Sequence, residues 1–163
     1  MKQKIILNSI LLVFISSKLF GQLNTQLCNK NERLVFAFQL QNKKWVSVCK
    51  EEKEKYLVCR VGTVDKIDFQ YPSVLDSSSW KKFSFNSYTR EFGKKDVAMH
   101  FSYLDFNYNN SKYEVYETLD AEARQEHCGI KIIKTKSNSD TEGVLNTREG
   151  NLLVLSTDDR FKQ

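Results

Sequence analysis

Residues 56–72 read YLVCRVGTVDKIDFQYP. Leu57, Cys59 and Val61 alternate with Tyr56, Val58 and Arg60; beyond a Gly-bearing turn, Ile67, Phe69 and Tyr71 alternate with Lys66, Asp68 and Gln70. A period of two sends successive side chains to opposite faces of a strand. Two such runs around Val61-Gly62-Thr63 predict an antiparallel hairpin. Gly62 supplies permissive backbone at the turn, and Pro72 ends the second strand where no ladder donor is needed. Leu57, Cys59, Ile67 and Phe69 are expected to face inward. Arg60 shares the opposite face with Tyr56 and is expected to pair across the strands with Asp68.

The same period recurs along the chain. RLVFAFQL (33–40) aligns Leu34, Phe36, Phe38 and Leu40, and KWVSVC (44–49) aligns Val46 with Val48 after a Gln41-Asn42-Lys43 turn. WKKFSFNSY (80–88), VAMHFSYL (97–104), KYEVYET (112–118), GIKIIKT (129–135) and NLLVLST (151–157) continue it. In VAMHFSYL the aligned set is Val97, Met99, Phe101 and Tyr103, which puts His100 on the wet face. Together with the hairpin strands and KYLVCRV (55–61), these runs predict an all-β fold, an antiparallel β-sandwich or barrel of about nine short strands. LDAEARQE (119–126) combines good helix formers with an Asp near its start, so one short helix is expected there.

The chain opens MKQKIILNSILLVFISSKLFGQ. Lys2 and Lys4 precede an apolar run that is shorter than the roughly 20 residues a spanning helix needs. A charged start, a short apolar centre and a small residue before a polar one predict a signal peptide over 1–21, cleaved after Gly21, and a single β-rich domain over 22–163. The protein is then exported, to the periplasm or beyond the cell, with no integral span after cleavage. Loss of Lys2, Lys4 and Lys18 lowers the net charge from +5 to +2. The remaining basic pairs are scattered among acids, which argues against a nucleic-acid surface.

The four cysteines, Cys28, Cys49, Cys59 and Cys128, are an even number in an exported chain and suggest two disulfides. Spacing allows three connectivities; the pairing adopted is Cys28–Cys49 with Cys59–Cys128. No close-spaced C-x₂-C pair supports a metal site, and no metal or cofactor is expected. Nor is there a G-x-S-x-G elbow, an H-E-x-x-H helix or a P-loop. The two histidines are His100 and His127, so no catalytic residues are assigned and a non-enzymatic role is expected. A hydrolase with a site dispersed over several strands is the enzymatic alternative. Binding is easier to accommodate. DFNYNNSK (105–112) sets Phe106 and Tyr108 among amides, and with Tyr56, Arg60 and His100 these form the candidate binding set for a protein or glycan partner. An envelope-associated structural or interaction protein is a further alternative.

The segments LQNKKWVSVC (40–49) and YLVCRVGTVDKIDFQYP (56–72), continued by YEVYE (113–117) and GIKI (129–132), resemble a group of small exported bacterial proteins. That group shares a V-S-V-C hairpin and a Y-R-x-G…K-I…Y-P segment. The chain departs from the pattern at Cys59, where the group has an aromatic. The Gln-starting mature end after LFG is similar to exported proteins of Bacteroidetes-type bacteria. The resemblance implies export and a β-hairpin architecture, and it implies no activity.

Overall fold

The computed structural model describes residues 26–91, 98–120, 123–134 and 137–161. The signal peptide expected over 1–21 lies outside the described residues. The strands are β1 (Glu32–Leu40), β2 (Trp45–Glu51), β3 (Leu57–Thr63), β4 (Lys66–Tyr71), β5 (Phe83–Glu91), β6 (Ala98–Tyr108), β7 (Ser111–Asp120), β8 (Gln125–Ile133) and β9 (Asn138–Gly150). Two short 3₁₀ helices, η1 (Ser77–Lys82) and η2 (Leu152–Thr157), follow β4 and β9. All nine strands form one sheet in the order β4-β3-β2-β1-β9-β8-β7-β6-β5, and every neighbouring pair is antiparallel. Two meanders thus run outward from a β1–β9 junction, and the sheet curls into a half-barrel, the all-β antiparallel class that the alternation predicts.

The edges, β4 and β5, are not paired with each other. Aromatic rings fill the space between them. Tyr71 of β4 stacks on Phe106 of β6 at 4.5 Å and meets Phe83 of β5 edge-on at 5.5 Å, while Phe69 stacks on Tyr113 at 5.5 Å. The concave face carries the main core, including Phe36, Phe38, Val46, Val48, Leu57, Leu104, Phe106 and Val115, all buried. Each such side chain contributes about 1.5–3 kcal/mol, which a lone hairpin, marginal in water, could not supply for itself.

The convex face of β1–β3 is also covered. Residues 26–31 cross it as a strap, tied by the Cys28–Cys49 disulfide, by the Leu27 amide donating to Ser47 Oγ at 3.2 Å and by the Glu52 amide donating to the Asn31 carbonyl at 3.0 Å. Leu27, Leu34, Ala37 and Trp45 pack together beneath it, as do Cys28, Cys49, Tyr56, Val58 and Leu75. The covering explains why Val58 and Arg60 are as buried as Leu57 and Cys59. Strict alternation breaks at Val35. Leu34 opposes Cys49 and Phe36 opposes Val48, so a bulge turns Leu34 outward under the strap while Phe36 faces the core.

Several expectations are corrected. Leu119–Asp120 close β7 and Gln125–Glu126 open β8, so 119–126 is a strand–turn–strand corner rather than a helix; Ala121 and Glu122 lie outside the described residues. Residues 151–157 are not a strand: Leu152 and Leu155, three apart, turn one face of η2 to the core. The ninth strand is instead Asn138–Gly150, a polar and mostly exposed run. Ile67 is exposed, at the turn end of β4. On β6 the inward set is Ser102, Leu104 and Phe106, in phase with His100, while Phe101 and Tyr103 stand on the convex face. Cys59 and Cys128 are buried free thiols, not a disulfide. They sit on β3 and β8 with β2, β1 and β9 between them. Strands lie about 4.8 Å apart, and a disulfide needs Cα atoms within about 7 Å.

Candidate functional site

The expected binding set does not converge. Arg60 is 2% exposed and lies beneath the strap. Its guanidinium holds Glu32 at two points, Nη1 to Oε2 at 2.5 Å and Nη2 to Oε1 at 2.9 Å. It also donates to the Leu27 carbonyl at 3.0 Å and, through Nε, to Gln70 Oε1 at 2.9 Å. Asp68, the expected partner, is bridged instead by Lys44 at 2.9 Å and Lys66 at 3.4 Å. The Tyr56 hydroxyl donates to Glu32 Oε1 at 2.9 Å and the Asn29 amide to Glu32 Oε2 at 2.7 Å. Tyr56 and Arg60 therefore build the fold, because the strap buries the face on which alternation had left them exposed. Cys28, Glu32 and Cys49 bring ligand atoms within 4.8 Å of one another, yet the two sulfurs are bonded together and the carboxylate is already engaged.

Phe106 is 2% exposed, wedged between Tyr71 and Tyr113, and so belongs to the core. Tyr108 lies at the rim, half-covered by an edge contact to Phe69 at 5.2 Å. On the convex face Tyr88, Phe101 and Tyr103 form a ladder: Tyr88 and Phe101 are 4.6 Å apart and 15° from parallel. At that spacing the rings cover each other's faces, so the ladder offers edges rather than a flat stacking platform.

His100 is the member that leads to a site. It lines a cleft of about 190 Å³ with Ser102, Glu117, Leu119, Arg148, Asn151 and Leu153. The register builds it: Ser102 of β6 lies directly opposite Glu117 of β7, and His100 opposite Leu119. These residues continue the inward face of β6 and β7 beyond the last apolar pair, Leu104 and Val115. Arg148, Asn151 and Leu153, at the corner from β9 into η2, supply the far wall. The Asn151 amide donates to the Val35 carbonyl at 3.0 Å, turning the chain from β9 into η2. At Gly150, φ is +76° and an added Cβ would lie 2.2 Å from the Val35 oxygen, so this corner demands glycine.

The polar groups of the cleft hold one another. Glu117 accepts from the Leu152 amide at 2.8 Å and pairs with Arg148 at 3.1 Å, and Arg148 also pairs with Glu126. Burial pushes the Glu117 carboxyl above the usual carboxylate range; the Leu152 amide and Arg148 oppose this, and Glu126 adds to it. His100 Nδ1 lies 3.0 Å from Thr89 Oγ1, and Asn151 Oδ1 accepts from the Leu153 amide at 2.6 Å. Ser102 is the exception. The residue is 3% exposed, but its hydroxyl opens onto the cleft and makes no hydrogen bond to another described residue. The cleft thus offers a ligand a hydroxyl without a protein partner, spare amide and ring nitrogens, and the apolar flanks of Leu119 and Leu153. Ser102, Glu117 and Arg148 carry no short motif. Ser102 and Glu117 look like polar alternates in β strands, and Arg148 lies in a strand whose composition hides it.

Among the described residues, no helix is long and apolar enough to cross a membrane. Comparison with known proteins finds no matching family model, no matching curated protein and no matching solved structure.

Proposed function

We propose that this chain is an exported, non-enzymatic binding domain that takes part of a protein or glycan partner into the cleft between His100, Ser102, Glu117 and Asn151. The observation that carries the reading is Ser102. Its hydroxyl faces the cleft with no protein partner, so a ligand that hydrogen-bonds to it replaces water there, while one that covers it without bonding strands it at a cost of about 1–3 kcal/mol. The neighbouring charged groups are held by one another, as suits a preformed site. Binding is favoured over catalysis by the same geometry, since the Ser102 hydroxyl has no base bonded to it and His100 bonds Thr89 instead. Export rests on the charged and apolar start of the sequence, and the Cys28–Cys49 disulfide suits an oxidising compartment.

The test is a screen of the purified chain against glycan and peptide arrays, repeated with Leu153→Trp. Leu153 stands half-open at the mouth, so a large ring there obstructs the cleft without disturbing the core. Binding that disappears in this variant, with an unchanged circular dichroism spectrum, supports the reading; binding that survives it refutes the assignment of the cleft.

A further inference from the structure

We infer that the ligand of this cleft is one neutral, polyhydroxylated ring, the terminal sugar of a glycan; the inference rests on the binding reading above. Size comes first. Clefts that take drug-sized ligands run to about 300–1,000 Å³, whereas this one holds about 190 Å³, room for a single ring.

The wall chemistry narrows the class. Leu119 and Leu153 are 37% and 39% exposed and flank the opening with apolar surface, which suits the C–H face of a sugar. The polar groups that the neighbouring residues leave free are mixed donors and acceptors. The Ser102 hydroxyl donates and accepts, the Asn151 carboxamide keeps its NH₂ because its oxygen is taken by the Leu153 amide, and the His100 ring keeps the nitrogen that does not face Thr89. Sugar hydroxyls likewise donate and accept, so they can meet all three.

The competing ligands fit less well. An apolar peptide side chain would seal Ser102 away still unpaired. A carboxylate or phosphate would meet the acid Glu117 on the lining, and the lining's single Arg148 already contacts both Glu117 and Glu126. A cationic group would find those carboxylates committed to Arg148 and, for Glu117, to the Leu152 amide.

The experiment titrates the full chain with methyl glycosides, neutral and uronic, and with short apolar and acidic peptides, reading binding by saturation-transfer NMR and calorimetry. At least one neutral glycoside should bind. Its affinity should fall about tenfold in Ser102→Ala, the loss expected for one ligand hydrogen bond. Asn151→Asp, which keeps the oxygen that caps η2 and removes the NH₂ donors, should weaken it as well. A uronide that binds more tightly than its neutral counterpart overturns the inference. So does a peptide that binds in a Ser102-dependent way while the glycosides do not, an outcome that leaves the binding reading standing. If no probe binds, or none is affected by Leu153→Trp, both fall.

Discussion

Arg60 and Glu32 form a two-point ion pair whose side chains are 2% and 0% exposed, under a strap that a disulfide holds in place. The guanidinium and carboxylate are both satisfied by further hydrogen bonds, the condition under which a buried pair is tolerated. Removing one partner strands the other. Arg60→Ala should lose about 3–5 kcal/mol of stability in urea unfolding, with Tyr56 and the strap loosened. Because Arg60 does not line the cleft, any ligand the folded variant binds there should bind with unaltered affinity. A variant as stable as the parent would mean that the pair is not buried as described.

Glu32 also predicts an acid-sensitive arm. Burial alone would raise its carboxyl, but the hydrogen bonds from Arg60 and the Asn29 amide, the Arg60 charge and the Tyr56 hydroxyl together hold it below the usual range. A depressed folded pKa means that the unfolded chain binds the proton more readily. The stabilisation is fully present above the unfolded value, about 4.3, and is lost as pH falls through the lower folded value. Comparing urea midpoints of the parent and Glu32→Gln from neutral pH downward should show a gap that is constant at first and closes in acid. A gap independent of pH would remove Glu32 as its source.

The thiols give a counting test. Cys59 and Cys128 are buried, and burial pushes them up to about 12 and about 11, so neither is reactive at neutral pH. The native chain should take up no maleimide, the urea-unfolded chain two equivalents, and the unfolded, reduced chain four. Two thiols in urea agree with Cys28–Cys49 as the one disulfide, and none would restore a Cys59–Cys128 bond.

Eight of the nine strands stand where an alternating apolar pattern announces them, because each buries one face on the concave core. β9 escaped detection for the opposite reason. It contributes backbone pairing to β1 and β8 but almost no apolar side chain, so its sequence carries no period. The strap was hidden too, since nothing local says that residues 26–31 will cross β1–β3 and bury Tyr56, Val58 and Arg60. Of the site, His100 alone was legible. Alternation sets it opposite in phase to Phe101 and on a wet face, yet it lines the cleft, because which face is concave depends on the curl of the whole sheet. Ser102 and Glu117 gain meaning only from the β6–β7 register, and Asn151 only from a bulge on β1.

That bulge makes Gly150 a lever on the cleft. Gly150→Ala adds a Cβ against the Val35 carbonyl at a backbone angle of +76°. The strain and overpacking should cost about 1–3 kcal/mol. The larger expected effect is local: displacing the corner moves Asn151 and Leu153, so ligand binding should weaken by more than the melting temperature alone would suggest. Full affinity in this variant would detach η2 from the site.

Glu117 should act on stability with the opposite pH sign to Glu32. Its folded pKa is raised, chiefly because burial penalises the charged form, so the native state holds the proton more tightly than the unfolded chain. Stability therefore declines as pH rises from about 4.3 through the raised folded value, and is flat above it. Glu117→Gln keeps an oxygen for the Leu152 amide and carries no charge to desolvate, so it should lack this decline. Arg148 keeps Glu126 as its counter-charge in the variant, which limits the damage. Plotted against pH, the stability of the parent minus that of the variant should fall across the window and then level off. A difference that rises with pH would mean that Arg148 outweighs burial and that the carboxyl is depressed, not raised.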